Sequence, residues 1–155
     1  MTKKIALKSI LDFNYFEADG SSFGNPTRNA FSATAIATYQ PNKKTNLGIN
    51  IRQDITSDFD SPLLFSLDGS YQFSKFYKVL LNASKNFRVP TFNDLFWQPG
   101  GNLDVKPETS YQVDLGHQFT YKWASLNINT YYIKNESLIQ WRPNVSGIWS
   151  PINID

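Results

Sequence analysis

The sequence predicts an all-β protein, an antiparallel up-and-down meander of about eight strands. Three observations predict it: segments that alternate apolar and polar residues, connections that alternate short and long, and aromatic residues crowded at the segment ends. A period of two sends successive side chains to opposite faces of a strand, so each segment carries one apolar and one polar face.

The segments run in order. Residues 5–16 open the series, and 30–40 set Phe31, Ala33, Ala35, Ala37 and Tyr39 against Ser32, Thr34, Thr38 and Gln40. Residues 45–55 oppose Leu47, Ile49 and Ile51 to Asn46, Asn50 and Arg52. The cleanest alternation is 63–73, with Leu63, Phe65, Leu67, Tyr71 and Phe73 facing away from Ser66, Asp68, Ser70 and Gln72. Residues 77–87 and 110–121 flank the longest connection. In them Val79, Leu81, Ala83, Tyr111, Val113 and Leu115 share one face, while Asn82, Ser84, Asn86, Gln112, Asp114 and Gln118 share the other. Residues 124–135 and a shorter 137–142 complete the set, and no stretch has the period of a long amphipathic helix.

Pro41-Asn42-Lys43-Lys44, Ser74-Lys75-Phe76 and Tyr121-Lys122-Trp123 read as tight turns, whereas 17–29, 56–62 and 88–109 are longer. In an up-and-down barrel every second connection emerges at the same rim, and outer-membrane barrels have short periplasmic turns and long extracellular loops. The 88–109 loop is therefore expected at the extracellular rim. The same alternation suits a barrel with its apolar face to lipid or a soluble sandwich with that face buried. Aromatics such as Phe13, Tyr15, Tyr39, Phe73, Tyr77, Phe119 and Tyr121 at segment ends favour the barrel, whose interfaces carry aromatic girdles.

Composition bounds the function. The 155 residues carry 15% aromatics and a net charge of +2, too dispersed for a nucleic-acid surface. Mean hydropathy is −0.40, and no run approaches the length of a transmembrane helix. Cysteine is absent, so neither disulfides nor a thiolate metal site can form. The Lys3-Lys4 and Lys43-Lys44 pairs read as solvated terminal or turn residues. Lys8 and Asp12 interrupt the apolar stretch a signal peptide would need, so the amino terminus reads as a strand behind a start codon.

No catalytic constellation emerges. His117, the single histidine, lies on the apolar face of its strand and reads as structural. Asp54, Asp58 and Asp60 share a loop but lack the central glycine and terminal glutamate of a calcium loop, so a solvated loop is the reading and no metal is assigned. Gly100-Gly101 reads as a turn needing positive φ.

The loop itself is the most specific part of the chain. Residues 86–110 read NFRVPTFNDLFWQPGGNLDVKPETS, too rich in Phe, Trp, Pro and Leu for a solvated linker. Arg88, Pro90, Thr91, Asn93, Asp94 and Leu95, then Gly100, Gly101, Asn102, Leu103, Lys106, Pro107 and Glu108, resemble the signature of the carboxy-terminal half of TonB-dependent outer-membrane receptors. Leu103-Asp104-Val105 departs from the proline and leucine that commonly precede the lysine there. The run from Leu138 to Ile154 is similar to the next segment of the vitamin B12 and siderophore branches, so the resemblance covers the second half of the chain.

That resemblance implies an arc of a large transmembrane β-barrel in the outer membrane of a Gram-negative bacterium, in contact with its lipid. It also implies a plug domain and further strands outside this chain, a TonB-type energy-coupling protein acting through the plug, and a siderophore or cobalamin ligand, with no cofactor, no enzymatic activity and no nucleic acid. Within the loop, Arg88 is expected to pair with Asp94 or Glu108, Pro90 and Pro107 to fix φ, and Phe92, Leu95 and Phe96 to form a small apolar plug. Ligand contact is expected at Trp97, Gln98, Trp141, Arg142 and Trp149, which join flat apolar surface to polar groups near loop tips. Two rival readings stand beside this one: a complete eight-stranded outer-membrane barrel, and a soluble β-sandwich binding carbohydrate on its Trp and Tyr faces. The terminal Pro151-Ile152-Asn153-Ile154-Asp155 lacks the final aromatic expected of finished barrels.

Overall fold

A computed structural model describes residues 4–154; Lys3 of the amino-terminal pair and the terminal Asp155 lie outside them. Seven strands form one sheet: β1 (Ile5–Glu17), β2 (Thr27–Asn42), β3 (Thr45–Thr56), β4 (Leu64–Ser74), β5 (Tyr77–Arg88), β6 (Glu108–Tyr121) and β7 (Ala124–Glu136). They lie side by side in sequence order, each antiparallel to the next. The short turns β2–β3, β4–β5 and β6–β7 therefore share one end, and the three long connections share the other.

Register keeps the alternation intact across the sheet. One row runs Leu7, Ala37, Ile49, Leu67, Ala83, Val113 and Tyr132, strand to strand, and the neighbouring face carries Ser32, Asn50, Ser66, Asn82, Gln112 and Asp114. A slip of one residue would invert every strand, so this agreement over seven strands fixes one sheet with an apolar and a polar side. At the short-turn end Phe73, Tyr77 and Phe119 stack in a line, with centroids 5.4 and 4.7 Å apart. His117 belongs to that line: its Nδ1 lies 2.8 Å from the Tyr77 hydroxyl and its ring is parallel to that of Tyr77.

The eighth predicted segment leaves the meander. β8 (Leu138–Pro143) pairs with β9 (Trp149–Ile154) in a separate two-stranded hairpin. The break falls at Ser137, whose φ of +56° no strand continues through. β9 escapes the alternation argument because it is short and contains Pro151, a residue that reads against a strand interior. The long loop is also not structureless, since it folds a short helix, α1 (Phe92–Phe96).

The apolar sheet face is uncovered: Leu7 is 79% exposed and Leu11 71%. Among the described residues the buried apolar side chains are Pro90, Leu95, Val105, Ile139 and Pro151, all in the long loop or the hairpin. The one packed core thus sits above the long-connection end of the sheet.

Candidate ligand-capturing rim

The loop between β5 and β6 is closed at its base by a charge pair built into the sheet register. Arg88 stands opposite Glu108 and grips it through two hydrogen bonds, Nε to Oε1 at 2.6 Å and Nη2 to Oε2 at 3.1 Å. Such a fork fixes direction as well as charge. Glu108 Oε2 also accepts the Ile139 N–H at 2.9 Å, joining the base to β8.

Above this base, Thr91 and Asp94 form a reciprocal cap on α1. Thr91 Oγ1 accepts from the Asp94 N–H at 3.1 Å, and Asp94 Oδ2 accepts from the Thr91 N–H at 2.8 Å. A five-residue helix would not persist alone, so its order comes from this cap and from tertiary contacts. The other carboxylate oxygen of Asp94, which is buried, accepts the Trp141 indole N–H at 2.9 Å. Arg88 reaches Asp94 more loosely, at 3.9 Å. Arg88 therefore pairs mainly with Glu108, and Asp94 is the junction of loop and hairpin.

Backbone exchanges complete the junction. Asn102 Nδ2 donates to Pro151 O at 3.0 Å, and Asn153 both accepts the Lys106 N–H and donates to Lys106 O, each at 2.8 Å. Lys106 thus serves through its backbone, and Leu103 is exposed at the tip. The apolar plug is composed differently from expectation: Leu95 is buried, but its buried companions are Pro90, Val105, Ile139 and Pro151, while Phe92 and Phe96 remain partly exposed.

Gly100 and Gly101 are needed for space and not for φ, for neither adopts positive φ; Gly24 and Gly147 do. A Cβ on Gly100 would overlap the Trp149 carbonyl oxygen, and one on Gly101 would lie 2.6 Å from Trp97 N. Gly100→Ala is accordingly expected to push the hairpin off the loop at a cost of about 1–3 kcal/mol. Faster proteolytic nicking of the 143–149 turn in the variant is the measurement; an unchanged nicking rate would refute the contact.

The five candidate contact residues divide. Trp97 and Trp141 meet edge-on at 5.7 Å, and together with Trp149 and Asn93 they line an open cleft of about 400 Å³. Gln98 and Arg142 lie outside it: the Gln98 N–H donates to Ser22 O at 2.6 Å and Arg142 Nε to Gln140 Oε1 at 2.7 Å. Trp149 is exposed, whereas Trp141 is anchored by Asp94 and so builds the cleft as well as lining it.

One organising residue gave no sequence signal. Arg28, 7% exposed at the start of β2, holds Asp58 through Nε at 2.7 Å and Nη2 at 2.6 Å and donates to Pro90 O at 2.9 Å. Its guanidinium lies 5.6 Å from the Phe59 ring centre and 5.1 Å from that of Phe92. It thereby ties β2 to two of the long connections, and it engages one of the three loop carboxylates weighed as a calcium set. Asp54 of that set stands within β3, paired across the sheet with Ser32, so the three do not share a loop, and it is engaged by Arg52 at 2.6 Å.

A sheet in unbroken sequence order, apolar on one side and polar on the other, with the buried core of the described residues in a tied cluster of long connections, has the architecture of an arc of β-barrel wall beneath its loops. Residues 6–155 match the TonB dependent receptor-like β-barrel family, and the chain belongs to that family, one of transporters and receptors and not of enzymes. It is 33% identical over 110 residues to a vitamin B12 transporter BtuB of Photobacterium profundum, covering 68% of this chain and 18% of that protein. It is 29% identical over 139 residues to the BtuB of Vibrio vulnificus, covering 89% and 22%. Among solved structures it resembles the siderophore receptor PirA of Pseudomonas aeruginosa, with a TM-score of 0.83 at 19% identity over 96% of this chain and 30% of that one. The copper transporter OprC gives a TM-score of 0.79 at 12% identity over 99% and 32%. The chain thus spans less than a third of the length of these relatives.

Proposed function

We propose that this chain is part of the barrel of an outer-membrane receptor that captures a large, scarce organometallic ligand of the cobalamin class and imports it with energy delivered by TonB. In this reading the barrel sits in the outer membrane of a Gram-negative bacterium. Its apolar face meets lipid, and a plug and further strands of the same receptor complete the lumen and receive the coupling protein. The observation that carries the proposal is the tryptophan cleft on the rigid junction of loop and hairpin. Three indoles and one amide at a loop rim offer broad, flat, apolar contact with a polar edge, which suits a macrocyclic ligand better than a small ion. Identity to two vitamin B12 transporters supports cobalamin over a ferric siderophore.

The test is ligand binding to whole cells bearing the full-length receptor, normalised to receptor at the surface. Trp97→Ala or Trp149→Ala is expected to weaken vitamin B12 binding about tenfold per receptor. Pro107→Ala or Glu108→Ala is expected to lower the amount of folded receptor instead, because those residues order the loop. Unchanged affinity in both tryptophan variants would remove the cleft from the binding site. Binding of a ferric siderophore in place of vitamin B12 would reassign the ligand.

A further inference from the structure

The opposite end of the sheet carries an unassigned feature. Across residues 38–48, 70–80 and 116–126, which hold the three short turns, Lys43, Lys44, Lys75, Lys78 and Lys122 occur and no Asp or Glu does. Two of these lysines are placed against rings. Lys75 Nζ lies 4.8 Å from the centre of Phe76, and Lys122 Nζ lies 5.2 Å from that of Tyr121. The two rings are themselves neighbours, 5.3 Å apart and tilted by 54°. The adjoining strand ends are tied by the Thr120 N–H donating to Phe76 O at 2.8 Å. The result is a ledge of two rings bracketed by two ammonium groups, with Trp123 beside it 93% exposed. Lys122 has a φ of +48°, a conformation that glycine or asparagine adopts at less cost in a two-residue turn. A requirement of the turn alone does not account for lysine there.

We propose that this ledge binds the head group of an anionic phospholipid of the phosphatidylglycerol class, in the leaflet that borders the short turns. The inference rests on the reading that the barrel wall lies in a membrane. The ledge stands where the outward apolar face gives way to the turns, the level at which aromatic rings settle and lysine stems lie along apolar surface with their charges in the head-group layer. Two ammonium groups with no carboxylate near them favour a phosphodiester of net negative charge over a zwitterionic head group. A soluble acidic partner would leave the rings and Trp123 without a role.

The experiment uses the full-length receptor in detergent, titrated with phosphatidylglycerol or phosphatidylethanolamine, with bound lipid counted by native mass spectrometry. Preferential retention of phosphatidylglycerol is expected, falling roughly thirtyfold in the Lys75→Gln/Lys122→Gln variant, with vitamin B12 binding unchanged. Lys122→Asn relieves the turn, so it is expected to raise thermal stability while still lowering phosphatidylglycerol retention. Full retention in that stabilised variant would overturn the proposal. Equal retention of both lipids, or loss of phosphatidylglycerol to equimolar inorganic phosphate, would also overturn it while leaving the receptor reading intact. Retention of neither lipid would overturn the proposal, and loss of the full-length receptor from the outer-membrane fraction would overturn the membrane reading on which it rests.

Discussion

Arg28→Ala is expected to unfasten the rim. The substitution removes a forked ion pair to Asp58, a hydrogen bond to Pro90 O and a guanidinium held between Phe59 and Phe92, all converging on one buried side chain. Truncating one member of a buried, hydrogen-bonded charge pair costs about 3–5 kcal/mol, and the partial exposure of Asp58 places this site at the lower end of that range. The loss falls on the loops and spares the ladder of β2. Surface receptor should persist while protease cuts within 56–63 and 89–107 become fast and ligand binding falls. Arg28→Lys is not expected to restore protection, because a single ammonium cannot fork onto the carboxylate and stack between two rings. Protease resistance equal to that of the unmodified receptor in Arg28→Ala would show that the strands alone order the loops.

The second large effect is expected at Asp94. Its two oxygens serve the α1 cap and the Trp141 indole, so Asp94→Ala removes the half of the reciprocal cap that satisfies the Thr91 N–H, keeps the bond from the residue-94 N–H to Thr91 Oγ1, and leaves the partly buried indole N–H unpaired. Loss of half the cap falls at the low end of the capping range, about 0.5–1 kcal/mol, and an unpaired buried donor costs about 1–3 kcal/mol, for a combined effect of about 1.5–4 kcal/mol. Asp94→Asn keeps one acceptor oxygen and should recover part of it. Amide hydrogen exchange separates the cases: both the α1 amides and the Ile139 N–H should exchange faster in Asp94→Ala. Accelerated exchange in α1 alone would mean that the hairpin is held without Trp141.

The strands of the sheet were readable because a half-buried strand writes its geometry into every second residue. The run Leu63, Phe65, Leu67, Tyr71, Phe73 admits no helical alternative, and β4 is observed one residue later, from Leu64 to Ser74, with Phe65 and Leu67 set in the apolar rows opposite Ile51 and Ile49. The α1 cap was present in the sequence as Thr91-Phe92-Asn93-Asp94, but aspartate at the third helical position is a weaker cue than glutamate, and the helix is one turn long. Pro151 concealed β9, because a strand that pairs on one side only can hold a proline that a sheet interior cannot. The glycine pair was read through φ, the usual reason for glycine, when its reason is the nearness of Trp149, a residue 49 positions away from Gly100 in sequence. Arg28 could not be read at all. Its partners Asp58 and Pro90 are 30 and 62 residues away, and nothing in the residues around it marks those distances.

The reciprocal bonds between Asn153 and Lys106, with those of Asn102 to Pro151 and Trp141 to Asp94, have a consequence for engineering. The loop and the hairpin are separated along the chain by all of β6 and β7, yet the bonds that shape one depend on the other. Together they form a single exchangeable cassette written in two pieces. A specificity graft between relatives that moves residues 89–107 alone would bring donors without their acceptors. One that also moves residues 137–154 keeps these bonds together, provided the recipient supplies Glu108 for the Ile139 N–H, Arg28 for Pro90 O and the Ser22 carbonyl for the Gln98 N–H.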